Sequence, residues 1–132
     1  MMYSVDTTAR FEKSVRECKR QGKRIEDLWD VVAILMEDGC LPAEFKPHVL
    51  TEEFAGLWEC HIEDDWLLIW RQNDKQLTLL LTDTGSHEYL FGKKGGKMSE
   101  ELKRSLEVSI EEAERGEVNH YESLDDLKKE IG

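Results

Sequence analysis

Apolar residues recur at helical spacing in two early stretches of the chain and then give way to short, nearly continuous apolar runs. Phe11, Val15 and Cys18 fall on one helical face behind Thr7 and Thr8, either of which can cap the helix, and Gly22 stops it. Leu28, Val31, Val32 and Leu35 form the stripe of a second helix from about Ile25 to Asp38, with Gly39 as its C-terminal stop. Residues 2–6 read as a short strand ahead of both. After the loop 41–47, which holds both prolines, the period changes. Val49 with Leu50, then residues 57–63, 66–71 and 76–81, read as strands, with a hairpin turn at 72–75. Two helices followed by an antiparallel meander is an α+β pattern.

Residues 92–97, GKKGGK, are a flexible, basic break. Beyond them Leu102, Leu106, Ile110 and Ala113 mark one face of an acidic helix that Gly116 ends. Ser123 with Asp126 makes a capping-box-like start for a last helix carrying Leu124, Leu127 and Ile131. This segment is too short to build a core of its own, so its apolar face needs a partner surface. The expected organisation is a domain over residues 1–92, a flexible linker over 93–97 and an acidic helical tail over 98–132.

Composition sharpens this picture. A hydrophobic content of 39% in 132 residues supports one modest core. The net charge of −11 argues against a protein that binds naked nucleic acid, and residues 98–132 supply −6 of it. The first helix runs the other way, with Arg10, Lys13, Arg16, Lys19, Arg20, Lys23 and Arg24; a charge run of this kind is usually a solvated helix face. No stretch is long and apolar enough for a membrane span, and no signal peptide precedes the first element. Cys18, Cys40 and Cys60 are odd in number and lack CxxC spacing, so free thiols in a reducing cytoplasm are expected.

The chemistry concentrates between Trp58 and Phe91, in WECHIEDDWLLIW and QLTLLLTDTGSHEYLF. Strand alternation puts Glu59, His61 and Glu63 on one face and Cys60 and Ile62 on the other. Asp65 sits at a turn before Trp66, and His87 follows a Thr-Gly-Ser break. Histidines at the polar ends of adjacent strands can converge, and imidazoles with a carboxylate suit proton transfer near neutral pH. A metal site built from Glu59, His61, Asp65 and His87 is the rival reading, but no ligand spacing such as HExxH is present. Alone, His87 reads as a surface residue, Asp65 as a turn cap and Phe91 as core.

ECHIEDDWLLIW followed by TGSHEYLF, with FKPHVL upstream, resembles the YafQ branch of the RelE/ParE superfamily, the toxins of bacterial type II toxin–antitoxin modules. The resemblance covers about residues 1–92. It implies a RelE-like α+β fold, two N-terminal helices packed on an antiparallel sheet, to which this chain adds its helical tail. It also implies a ribosome-dependent endoribonuclease that cuts messenger RNA without metal or other cofactor. His48, His61, Asp65 and His87 would be catalytic; Phe91 would lie beside the substrate base and Glu59 would be a weaker substrate contact. The implied partners are the ribosome, mRNA and a RelB- or DinJ-like antitoxin, with a homodimer left open. ERGEVNHYESLDDLKKEIG resembles the toxin-binding ends of RelB-like antitoxins, so the tail is expected to cover the domain, drawn to the cationic first helix, and to restrain cutting.

The chain departs from that pattern in two places. Asp83 stands where relatives commonly carry arginine, and Trp58 where an arginine or other polar residue is usual. An aspartate beside a scissile phosphate would repel it, which leaves Arg71 or Lys93 to hold the phosphate or else lowers activity. The alternative function is a toxin fold that has lost activity and survives as a protein-binding module. A third is an unrelated small regulatory protein whose histidines are structural.

Overall fold

The computed structural model describes residues 2–50, 56–91 and 100–132. Its elements are β1 (Ser4–Thr7), α1 (Ala9–Arg20), α2 (Ile25–Asp38), a 3-10 turn (Ala43–Phe45), β2 (His48–Val49), β3 (Leu57–Glu63), β4 (Trp66–Asn73), β5 (Thr78–Gly85), α3 (His87–Phe91), α4 (Glu100–Glu114), β6 (Asn119–Tyr121) and α5 (Leu124–Ile131). The α+β expectation is met. Thr8 is the cap of α1, its side chain accepting from the Phe11 amide. Gly39 closes α2 at φ 70, and a Cβ there would stand 2.7 Å from the Tyr3 ring, so this stop needs glycine twice over.

The strands form one sheet in the order β2-β3-β4-β5-β1-β6. The run β2 to β5 is the antiparallel meander the pattern predicts. β1 joins it in parallel beside β5, with Ser4 opposite Thr78 and Thr7 opposite Leu81, so the sheet is mixed. The hairpin turn lies two residues later than expected, at 74–77, where the Asn73 side chain accepts from the Lys75 and Gln76 amides and Leu77 turns left-handed.

Each face of the sheet carries its own apolar layer. On one, α1 and α2 press Phe11, Val15, Leu28, Trp29, Val32 and Leu35 against Cys60, Trp66, Leu68, Trp70, Leu79 and Leu81. On the other, Leu102 and Leu106 of α4 are buried against Leu57, Leu67, Ile69 and Leu90. Full burial of a leucine contributes roughly 1.5–3 kcal/mol, which is ample to hold α4 in place. Trp58 stacks on Trp70 with ring centroids 6.1 Å apart, on the helix side of β3.

The partner surface that the last segment needs is therefore on its own chain. β6 pairs antiparallel with β1, and Leu127 and Ile131 of α5 enter the α1–α2 layer. From the cationic α1, Lys19 donates to the Gly132 carbonyl at 3.3 Å. The α1 arginines pair with Glu12, Glu17 and Asp83, and Arg24 pairs with Asp27. The contact between α5 and α2 has the reverse sign, Lys128 to Glu26 at 3.6 Å. At the strand edge His120 bridges two carboxylates, Asp6 at 2.6 Å and Glu122 at 2.7 Å.

Those hydrogen bonds to Glu122 and then Asp6 raise His120 above its ordinary value of 6.5. The stabilisation they give is fully present below about pH 6.5 and is lost as pH rises through the folded value. Because the group is half exposed the effect is at most about 1 kcal/mol. Urea unfolding across that window should show stability falling with pH in the wild type and a flatter profile in His120→Gln. Identical profiles would mean that the bridge contributes nothing.

Candidate active site

β3 builds the site. Glu59 and His61 share a face, opposite Ile69 and Leu67 on β4, as alternation requires. Glu63 does not join them. The register slips between His61 and Glu63, and Glu63 pairs with Trp66, whose side chain points into the helix layer. β2 then brings His48 directly opposite Glu59.

Glu59 is the centre of the arrangement. It is only 5% exposed, and its Oε1 lies 3.3 Å from His48 Nε2. Its Oε2 is buried with no hydrogen-bond partner among the described residues. Burial pushes the carboxyl up from its ordinary value, and the positive fields of His48, His61 and His87 pull it back. His48 touches the carboxylate, and the charges of His61 and His87 reach it. A buried acceptor without a donor costs on the order of 1–3 kcal/mol, so the unanswered oxygen is a standing demand for a proton or a donor.

The imidazoles are oriented by backbone. His48 Nδ1 lies 3.0 Å from the Lys46 carbonyl and His61 Nδ1 3.3 Å from the Asp64 carbonyl. A carbonyl only accepts, so each Nδ1 carries its hydrogen and Nε2 is the working nitrogen. For His48 this has a consequence: with Nδ1 protonated, a hydrogen bond between Nε2 and Glu59 needs one further proton shared by the pair.

Asp65 and His87 meet differently from the expectation of a strand end. The residues after Thr84-Gly85-Ser86 form α3, and Asp65 Oδ1 accepts from the His87 backbone amide at 2.9 Å. Asp65 thus fixes the first turn of α3 from 22 residues away. The side chain of Phe91, like Lys93 and the rest of the 92–97 stretch, lies outside the described residues. Arg71 is on the same strand face, two residues or about 7 Å along β4 from Ile69, which stands opposite Glu59. It lies opposite Leu57 and Leu80, four residues along β4 from Leu67, or about 13 Å.

Asp83 does not face the imidazoles. It is 0% exposed and turns into α1, where Arg10 Nε donates to it at 2.8 Å, the Ser14 hydroxyl at 2.6 Å and the Thr84 amide at 2.8 Å. Burial pushes its carboxyl up and these donors pull it back. The expected repulsion of a phosphate is removed by this pairing. Arg10 is the residue that sequence reasoning placed only in a general cationic run. Cys60, beneath Glu59 on the opposite face, is pushed up to about 12 by burial and is no nucleophile.

Among the described residues no helix is long and apolar enough to cross a membrane. The family described as "Bacterial toxin of type II toxin-antitoxin system, YafQ" matches residues 3–92. An mRNA interferase toxin YafQ of Escherichia coli strain B / BL21-DE3 is 32% identical over 89 residues, 67% of this chain and 95% of that protein. The toxin in the crystal structure of the E. coli DinJ–YafQ toxin–antitoxin complex superposes with a TM-score of 0.64 at 28% identity, over 70% of this chain and all of that one. YafQ from E. coli strain BL21(DE3), solved by itself, gives 0.62 at 28%, over 68% of this chain and 99% of that one.

Glu59 yields a prediction about stability. Its folded value lies above the ordinary 4.5, so the folded state binds the proton more tightly and stability declines as pH rises from about 4.5 through the folded value. Glu59→Gln keeps the shape and loses the charge. It should be at least as stable as the wild type at neutral pH and gain nothing below pH 4.5, as read by urea unfolding at the two pH values. A variant clearly weaker at neutral pH would show that the ionised carboxylate holds the site together.

Proposed function

The chain belongs to the YafQ family of bacterial type II toxin–antitoxin toxins, and from that membership we propose that it is a ribosome-dependent endoribonuclease cutting messenger RNA by metal-independent acid–base catalysis. The observation that carries this reading is the buried Glu59 in contact with His48 and on one strand face with His61, within reach of the charge of His87. Cleavage by the adjacent 2′-hydroxyl needs one group to take its proton and another to protonate the leaving 5′-oxygen. His61 and His87 take these two roles. His48 and Glu59 hold a shared proton beside them, and Glu59 Oε2 offers an acceptor to the substrate hydroxyl. Asp65 holds His87 in place through its amide. Positive charge for the phosphorane comes from the imidazolium forms, which a preorganised site stabilises better than water does.

The partner proposed is an antitoxin of the DinJ type, after the complex this fold superposes on. The chain's own tail supplies a second restraint. Leu57 and Ile69, on which α4 packs, share their sheet face with Glu59 and His61. An RNA strand reaching the histidines must approach across this face. The α4 helix is acidic, with glutamates at 100, 101, 107, 111, 112 and 114, and so repels RNA as well as obstructing it.

Two outcomes are expected. His61→Ala and His87→Ala should each lower cleavage on programmed ribosomes by at least about 10²-fold, the usual scale for losing a general acid or base. Near-normal rates in both would remove the assignment. Leu102→Glu with Leu106→Glu, in the full chain, should loosen α4 and raise both cleavage and growth arrest. Activity that stays level or drops while the rest of the fold persists would make α4 scaffold rather than restraint.

A further inference from the structure

A second concavity lies on the far side of His87. It occupies about 370 Å³ between α1 and the β5–α3 turn, and its walls include Arg10, Lys13 and Gln21 on one side and Thr84, Ser86 and Tyr89 on the other. That volume falls within the range of about 300–1,000 Å³ typical of small-ligand sites. Its link to the histidine face is Gly85, against which the Tyr89 ring packs. His61, Leu67 and Gly85 stand in one row across three strands, which puts Gly85 about 10 Å from His61, within reach of a single RNA strand.

Tyr89 is 49% exposed, yet it is held at three points. Its ring packs so closely on Gly85 that a Cβ there would stand 2.4 Å from it. Its hydroxyl lies 3.1 Å from Ser14 Oγ, and the Arg10 guanidinium sits 5.6 Å from the ring centre. A half-exposed aromatic fixed in this way adds little to the core; it is a preorganised surface. The rim is cationic. Arg10 gives Asp83 its Nε, one of five N–H donors, and Lys13 follows three residues on along the same helix face. Asp83 is buried with its donors; the acidic groups nearby are Glu17, which lines the cavity and pairs with Arg20 at 3.0 Å, and Glu101 and Glu112 of α4, which share the adjoining concavity with Arg10 and Tyr89.

We propose that this cavity is a nucleotide subsite, which holds the RNA nucleotide adjoining the scissile bond. Its phosphate meets Arg10 and Lys13, and its base or ribose lies against Tyr89 and Ser86. The inference rests on the reading of the histidine face as the site of RNA cleavage.

The test maps every cut across an mRNA pool on programmed ribosomes, using the full chain, Lys13→Ala, Tyr89→Leu, Tyr89→Phe and, as a distant control, Lys129→Ala. Thermal melting checks that each is folded. Tyr89→Leu should raise KM about tenfold, the scale of a lost base stack, and flatten the base preference at the adjoining nucleotide, while Tyr89→Phe keeps it. Lys13→Ala should raise KM about threefold without changing that preference. A lost ribosome contact would raise KM too, but it would leave the base preference alone. If the wild type cuts and the preference and KM of Tyr89→Leu and Lys13→Ala stay within twofold of it, the subsite is wrong and the nuclease reading stands. No cuts from the wild type and none from the full chain carrying Leu102→Glu with Leu106→Glu would remove both. Adenosine 5′-monophosphate titrated into the RNA-free full chain separates the sources: tight binding lost in Tyr89→Leu, with unaltered cut preference, makes this a free-nucleotide site and overturns the RNA assignment.

Discussion

A carboxylate buried in a sheet face, answered among the described residues by imidazoles alone, constrains everything around it. Glu59 cannot ionise comfortably unless some nearby group is protonated, and His48, His61 and His87 are the groups whose fields reach it. Each of the three comes from a different element, and each is held by backbone geometry rather than by Glu59 alone. His48 is set by the β2–β3 pairing and the Lys46 carbonyl, His61 by the register of β3 and β4, His87 by the Asp65 acceptor for its amide. The proton inventory of the site is thus a property of the sheet.

The rest of the fold serves that sheet from two sides. The α1–α2 layer supplies most of the buried apolar surface, and α1 also reaches past the short β1 to neutralise Asp83 at the end of β5. The segment beyond residue 100 contributes three elements to the same body: a strand on the β1 edge, a helix on the α1–α2 layer and a helix on the histidine face. Apolar burial and strand pairing hold it, so its acidity is free for another use. Under the proposed function, an acidic helix on the face that RNA must cross would restrain cutting without any attraction to the cationic α1.

Local pattern was enough for much of this. α2 and β3 have the bounds that their periodicity predicts, and Ser123 caps α5 by accepting from the Asp126 amide. The convergence of His48 and His61 with Glu59 follows from alternation once the register is known. The departures are non-local. α3 has five residues, too few for a hydrophobic period; Ser86 caps it locally by accepting from the Tyr89 amide, and Asp65 adds a distant acceptor for the His87 amide. β6 is three residues whose strand character is given by the β1 edge. The parallel β1–β5 pairing, the slip that turns Glu63 away and the Arg10–Asp83 pair depend on contacts that a linear pattern does not contain.

The central claim is that protein side chains alone move the protons of RNA cleavage on the Glu59 face. The most direct measurement is the chemistry of the cut end. RNA cleaved by the full chain on programmed ribosomes in excess chelator, with ribosomes kept intact, is examined by mass spectrometry. A 2′,3′-cyclic phosphate, or the 3′-phosphate derived from it, is the result this account predicts. A 3′-hydroxyl end, or activity that returns only when one metal is added back, would contradict it.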